Sequence, residues 1–298
     1  MTISSLLQRV SLTGADNHTS ISELAQLTTD FPFVEWAVLY TPHREGVGRN
    51  PSRAWRESFF EALASHSAVH LCGAQAFEQL LAGQLSPEIL RAKRMQLNIN
   101  VRRDDFSQAQ VLEVFARALD LCPAVILQYH PRSAELVERF ISTLSAADAA
   151  RCHVLMDASG GTGRSPERWS RPEALNRSYV GFAGGLGVTN IRAALNELSL
   201  YHRPYWVDME TGVRTDERFD VTKAARILEL AGVARETLEH ALITKKQALE
   251  ALDNLDDYAR MEVGVDAVGP RTVLERFIIQ AQCAPSGYSK LPESPEEA

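Results

Sequence analysis

The sequence predicts an α/β fold, and within that class a (β/α)8 barrel, from three observations. Short apolar strand patterns alternate with amphipathic helix patterns from the start of the chain to about residue 231. About eight such units occupy a stretch close to the roughly 250 residues that a barrel of this kind uses. No G-x-G-x-x-G fingerprint follows the first strand, which disfavours an open doubly wound sheet built from the same local pattern.

The units run in order. Arg9–Gly14 reads as a first strand ending in a glycine turn, and Ser20 caps a helix through Ile21, Leu24 and Leu27, with Glu23 completing a capping box. Phe33–Tyr40 is a second strand, followed by a polar loop over 41–52 and a helix through Trp55, Phe59, Phe60 and Leu63. Ala68–Gly73 and Met95–Val101 are the third and fourth strands, with helices through Phe77 and Leu80 and over Val111–Leu119. Ala124–Tyr129 and Cys152–Asp157 are the fifth and sixth, separated by a helix from Ala134 to Leu144. The sixth runs into the glycine-rich loop Ser159–Gly163. The stretch Tyr179–Val213 supplies the last two strands, each an apolar run ending in glycine, and a helix over Val221–Leu230 closes the set.

Three segments follow from this reading: a barrel over 1–232, a C-terminal helical extension over 233–284, and a disordered tail over 285–298. The extension carries Leu238, Leu242 and Leu249 on one helical face, an expected packing or homo-oligomer surface. The tail is rich in proline and glutamate.

Composition narrows the partners. Apolar residues make up 45% of the 298 and charged residues 23%, the balance of an ordinary globular chain with a large core. A net charge of −7 argues against nucleic acid, which needs a basic face. No window approaches the ~20 uninterrupted apolar residues of a membrane span, so no membrane association is expected. The four cysteines, Cys72, Cys122, Cys152 and Cys283, lack C-x-x-C spacing. Neither zinc nor a disulfide framework is expected, no cofactor is implied, and a reducing cytoplasmic setting fits.

Chemistry in a barrel collects at the C-terminal strand ends. Here those ends hold Thr13, Tyr40, Arg49, His70, Cys72, Asn98, Asn100, Gln128, His130, Asp157, Gly184, Gly185, Asp208, Glu210 and Gly212. The last two strands end in Ala183-Gly184-Gly185-Leu186 and Asp208-Met209-Glu210-Thr211-Gly212. Glycines there let backbone N–H groups converge on an anion, so a phosphate pocket is expected. Asp157 ends an apolar strand, where partial burial raises a carboxyl pKa and suits it to carry a proton. Arg49 lies in a loop where a guanidinium could clamp a carboxylate or phosphate. His70 and His130 follow strands, and imidazole titrates nearest neutral pH. Asp208 and Glu210 are read as lying on alternate sides of strand eight, with one of them facing the mouth.

Together these motifs resemble phosphoribosylanthranilate isomerase, a (β/α)8 or TIM barrel enzyme of tryptophan biosynthesis. The resemblance covers residues 9 to about 231. Ser11-Leu12-Thr13-Gly14 stands where that family has Lys-Ile-Cys-Gly, and Val38-Leu39-Tyr40 with Gly48-Arg49-Asn50 resembles its Phe-Tyr-x-x-Ser-Pro-Arg. Met95-Gln96-Leu97-Asn98 is similar to its Val-Gln-Leu-His, and Leu155-Met156-Asp157 with Gly160-Gly161-Thr162-Gly163 to its Leu-Leu-Asp and Gly-Gly-Thr-Gly. Ala183–Leu186 and Val207–Val213 resemble its Ala-Gly-Gly-Leu and Val-Asp-Val-x-Ser-Gly-Val.

The resemblance implies an Amadori rearrangement of a phosphoribosylated aromatic amine, aminoaldose to aminoketose. In the family a cysteine ending strand one removes the sugar C2 proton, and an aspartate protonates the ring oxygen. Asp157 would then be the general acid, and Thr13 occupies the position of the base. Arg49 would contact the aromatic carboxylate, with Asn98 and Asp208 also at the substrate. Gly160, Gly161, Gly184, Gly185, Thr211 and Gly212 would surround the phosphate. A threonine hydroxyl does not ionise near pH 7. Cys72, His70, Asp16 and Glu210 are therefore alternative bases, and a phosphate-binding or regulatory barrel without the family activity is the second reading.

Overall fold

The computed structural model describes residues 6–98, 106–157, 165–175, 178–201 and 203–236. Asn100, Gly160, Gly161, the extension beyond 236 and the tail lie outside these residues.

Eight parallel strands close into a barrel in chain order. They are β1 (Leu7–Thr13), β2 (Val34–Tyr40), β3 (Ser67–Cys72), β4 (Arg94–Asn98), β5 (Ala124–Tyr129), β6 (Cys152–Asp157), β7 (Val180–Ala183) and β8 (Tyr205–Met209). Closure is direct: Val10 of β1 is in register with Val34 of β2 on one side and Val207 of β8 on the other. The expected (β/α)8 barrel is therefore the observed one, and it forms a compact unit that ends at Arg235.

The helices α1 (Ile21–Asp30), α2 (Arg53–Leu63), α3 (Ala74–Leu81), α4 (Gln108–Leu121), α5 (Ala134–Thr143), α6 (Ala146–Arg151) and α7 (Ile191–Ser199) accompany the strands, with a further helix, α8, over 221–236. Their starts follow from local chemistry. Ser20, Ser52, Ser107 and Ser145 each accept a backbone N–H in the first turn of α1, α2, α4 and α6, and Ser107 with Gln110 forms a full capping box. Two features were not foreseen, the short α6 before β6 and a hairpin after β8 formed by β9 (Arg214–Thr215) and β10 (Arg218–Phe219).

Alternation along each strand divides the core. Val10, Leu12, Val34, Trp36 and Val38 are buried against the helical layer. The other set fills the barrel interior and is unusually polar. Glu35 of β2 and Arg94 of β4 form a two-pronged ion pair there, Arg94 Nε to Glu35 Oε2 at 2.7 Å and Nη2 to Oε1 at 2.5 Å, with side chains 2% and 1% exposed. Arg9 adds a contact to Glu35 at 3.3 Å. The Arg94 guanidinium lies 4.5 Å from the ring centre of Trp206, which also packs on Tyr179 at 4.7 Å and His153 at 5.8 Å. Burial pushes the Glu35 pKa up, yet Arg94 and then Arg9 hold the net value below the ordinary carboxylate range.

A buried pair broken on one side leaves an uncompensated charge. Arg94→Met should destabilise the barrel by roughly 3–5 kcal/mol in urea unfolding. The double variant Glu35→Leu/Arg94→Met should recover most of that loss, and equal losses in both would show that packing rather than charge pairing matters here.

Candidate active site at the barrel mouth

The mouth is shaped by the turns after β7 and β8. Gly184 (φ 129°) and Gly185 (φ 60°) bend the chain out of β7 through left-handed backbone, which a side chain would strain. The Gly185 carbonyl is drawn away by Asn190 Nδ2 at 2.9 Å and Ser165 Oγ at 3.2 Å, while Asn190 Oδ1 accepts from Gly187 N at 2.9 Å. After β8 the chain makes a single 3-10 turn, Thr211–Val213, whose first bond runs from Val213 N to the Glu210 carbonyl at 3.4 Å. The amides of Thr211 and Gly212 precede that bond and have no partner within the turn. Gly212 is required sterically, since a Cβ there would collide with the Leu186 carbonyl oxygen. The two glycine turns therefore touch.

Arg214 fixes the second turn from behind. It donates to the Gly14 carbonyl at 2.5 Å, to Asp16 Oδ2 at 3.0 Å and to the Glu217 carbonyl. Asp16 also accepts from Phe219 N at 3.1 Å, so the loop after β1 and the β9–β10 hairpin are one hydrogen-bonded unit.

The cavity of about 170 Å³ at this end is lined by His70, Gln96, Asn98, Gln128, Asp157 and Asp208, with Glu210 and the two glycine turns completing it. Asp208 and Glu210 both line it. The expectation that they face opposite sides is corrected: residues two apart on a strand share a face. Asp157, Ala183 and Asp208 are successive register partners across β6, β7 and β8, so the two aspartates share the inward face two strands apart, with a small side chain between them. Asp157 is half-buried and Asp208 is buried.

Other expected residues fall elsewhere. Tyr40 points away from the cavity and donates to Gln79 of α3 at 2.7 Å. Arg49 does not line the cavity but reaches its rim, bonding Glu210 at 2.5 Å and Glu217 at 3.1 Å. Thr13 is fully buried, and its hydroxyl donates to Asp208 Oδ1 at 2.7 Å. Asn98 accepts from Gln96 at 2.6 Å and donates to Cys72 Sγ at 3.3 Å. Gln96, Glu35 and Arg94 were missed by the sequence reading. The only signal was a polar residue at alternating positions of otherwise apolar strands.

Electrostatics sort the candidate bases. Burial pushes the Cys72 thiol up to about 12, so it is no thiolate at neutral pH. Burial pushes His70 down to about 3. Asp16 is committed to Arg214. Asp208 behaves differently, with burial raising its pKa to about 7 against the lowering effect of the Thr13 hydrogen bond, and Glu210 raising it further.

A family model for N-(5'-phosphoribosyl)anthranilate (PRA) isomerase matches residues 112–229, a span that includes Asp157 and both glycine turns. The barrel is similar to phosphoribosyl anthranilate isomerase from Thermus thermophilus, with 19% identity and a TM-score of 0.52 over 76% of this chain and 100% of that one. Over residues 112–229 the chain is similar to that isomerase family, and the barrel as a whole shares its fold. A second isomerase of the same kind, in complex with reduced 1-(O-carboxyphenylamino)-1-deoxyribulose 5-phosphate, aligns at 15% identity and a TM-score of 0.50 over 76% of this chain and 99% of that one. The spore coat polysaccharide biosynthesis protein spsE of Bacillus subtilis aligns with a TM-score of 0.52 at 10% identity, over 80% of this chain and 70% of that one. At such identities the structures speak to the fold alone. No curated protein sequence matches the chain.

A carboxyl whose folded pKa lies above its unfolded value favours folding while protonated, and that contribution is lost as pH rises from about 4 to about 7. Asp208→Asn keeps an acceptor for Thr13 and removes the charge. It should therefore melt above the wild type at pH 8, with the difference shrinking towards pH 5. Scanning calorimetry at the two pH values checks this, and a variant less stable at pH 8 would contradict it.

Proposed function

We propose that this barrel is an acid–base isomerase of a phosphorylated, phosphoribosyl-type sugar ligand. The observation that carries the reading is one cavity lined both by the Thr211–Gly212 turn and by two inward-facing aspartates, on β6 and β8. The match of residues 112–229 to the N-(5'-phosphoribosyl)anthranilate isomerase model supports the substrate class.

In this reading the glycine turns after β7 and β8, with Gly160 and Gly161, hold the phosphate by backbone N–H groups, as an anion needs where no lysine or arginine lines the described cavity. Asp157 gives its proton to the ring oxygen as the C1–O bond breaks. Arg49 serves a carboxylate on the aromatic portion. That carboxylate has to displace Glu210, with which Arg49 is paired in the free protein. Asn98, held by Gln96, is left to orient a sugar hydroxyl. The ligand is a small molecule in a reducing cytoplasm, and the net charge of −7 gives nucleic acid no basic face.

The second reading, a phosphate-ligand-binding barrel without turnover, is favoured by one observation, the neutral and buried Thr13 at the position of the family's cysteine. Turnover of N-(5'-phosphoribosyl)anthranilate by the purified protein, and growth of a tryptophan auxotroph lacking the isomerase, should both be observed. Asp157→Asn should then lower kcat by about 10²–10⁴-fold. Binding of the reduced deoxyribulose phosphate without any turnover would instead establish the binding reading. Gly212→Ala should abolish that binding, and calorimetric titration retaining wild-type affinity would remove the cradle from the site.

A further inference from the structure

The isomerase reading leaves one role unfilled, since the position that carries the proton-abstracting thiol in the resembled family holds Thr13. Geometry narrows what fills it. A replacement must reach the same side of the bound sugar, so it must lie within a side-chain length of position 13 and open into the cavity. Cys72 and His70 sit on β3, and Cys72 is hydrogen-bonded to Asn98. Glu210 also lines the cavity, where it pairs with Arg49 in the free protein, but the Thr13 hydroxyl bonds Asp208 and not Glu210. Asp208 meets both conditions: it lines the cavity, and its Oδ1 is 2.7 Å from Thr13 Oγ1.

Resting on the isomerase reading, we infer that Asp208 is the general base and that Thr13 is its positioning residue. The carboxylate lies one hydrogen bond beyond the threonine oxygen, so the basic atom has moved from β1 to β8 while facing the same space. Ser11, in register with Asp208, bonds it as well. These bonds leave lone pairs on a carboxylate that accepts about four hydrogen bonds in all. Asp157 stands two strands away on the same inward face and lines the same cavity. With neighbouring strands about 4.8 Å apart, a sugar ring fits between the two.

The step balances without any co-reactant. A proton from Asp157 goes to the ring oxygen as the C1–O bond breaks and C1=N forms. Asp208 takes the C2 proton, giving an enolamine. C1 then gains a proton as the C2 hydroxyl loses one and becomes a carbonyl. The proton held by Asp208 replaces the one Asp157 gave up, by exchange with solvent.

The test measures turnover of N-(5'-phosphoribosyl)anthranilate together with calorimetric binding of the reduced deoxyribulose phosphate. Asp208→Asn should lower kcat by about 10²–10⁴-fold with unchanged affinity for the reduced compound. Thr13→Val should lower kcat about tenfold and displace the acid limb of the kcat/KM profile, because it alters the base through its hydrogen bond. The groups facing Asp208 that shape this limb are Thr13, Ser11, Glu210, Glu35 and Arg94, with Asp157 and His70 in the same cavity. Near wild-type kcat in Asp208→Asn overturns the assignment, and so does a loss of affinity equal to the loss of kcat. An unmoved acid limb in Thr13→Val overturns the positioning role. A wild type that binds the reduced compound but does not turn over N-(5'-phosphoribosyl)anthranilate overturns the isomerase reading itself, and this inference with it.

Discussion

The Glu35–Arg94 ion pair is the interaction on which the interior of this barrel depends. A (β/α)8 core is ordinarily filled by layers of branched aliphatic side chains. Here one layer is a carboxylate and a guanidinium locked by two hydrogen bonds, with Trp206 stacked on the cation. The arrangement costs the desolvation of two ions and recovers it through geometry that only arginine and a carboxylate can make. Both members of the pair also act on Asp208, Glu35 against its ionisation and Arg94 in favour of it. Core architecture and site electrostatics thus share these residues.

The mouth above that layer is acidic, with Asp157, Asp208 and Glu210 around one cavity. An anion can still be held there, because backbone N–H groups carry partial positive charge and no counter-charge is needed from a side chain. Arg49 offsets Glu210 at the rim. In the proposed isomerase the phosphate and the acid–base pair would therefore be served by different chemistry, peptide dipoles for one and titratable carboxyls for the other.

Much of the fold was legible in the sequence. The bounds of β5 and β6 follow from their apolar runs, and serine caps mark several helix starts, because these signals are local. What stayed hidden was anything set by pairing across the barrel. Glu35 looks like a lone acid in an apolar strand until β4 brings Arg94 beside it. Thr13 looks like the loss of a functional group until β8 brings Asp208 to its hydroxyl. The two glycine turns were readable, yet their contact through Gly212 and Leu186 was not. Asp208 and Glu210 were a different kind of miss, since strand periodicity alone places them on one face.

The bond between Thr13 and Asp208 joins residues 195 positions apart, across the seam where the first strand meets the last. Such a contact is made only once nearly the whole barrel has been synthesised, and it must overcome the loop-closure entropy of that span. No nascent or truncated chain ending before β8 can contain the pair. The site is thus a reporter of completed closure, and its assembly should be among the late events of folding, after the local helices and neighbouring strand pairs.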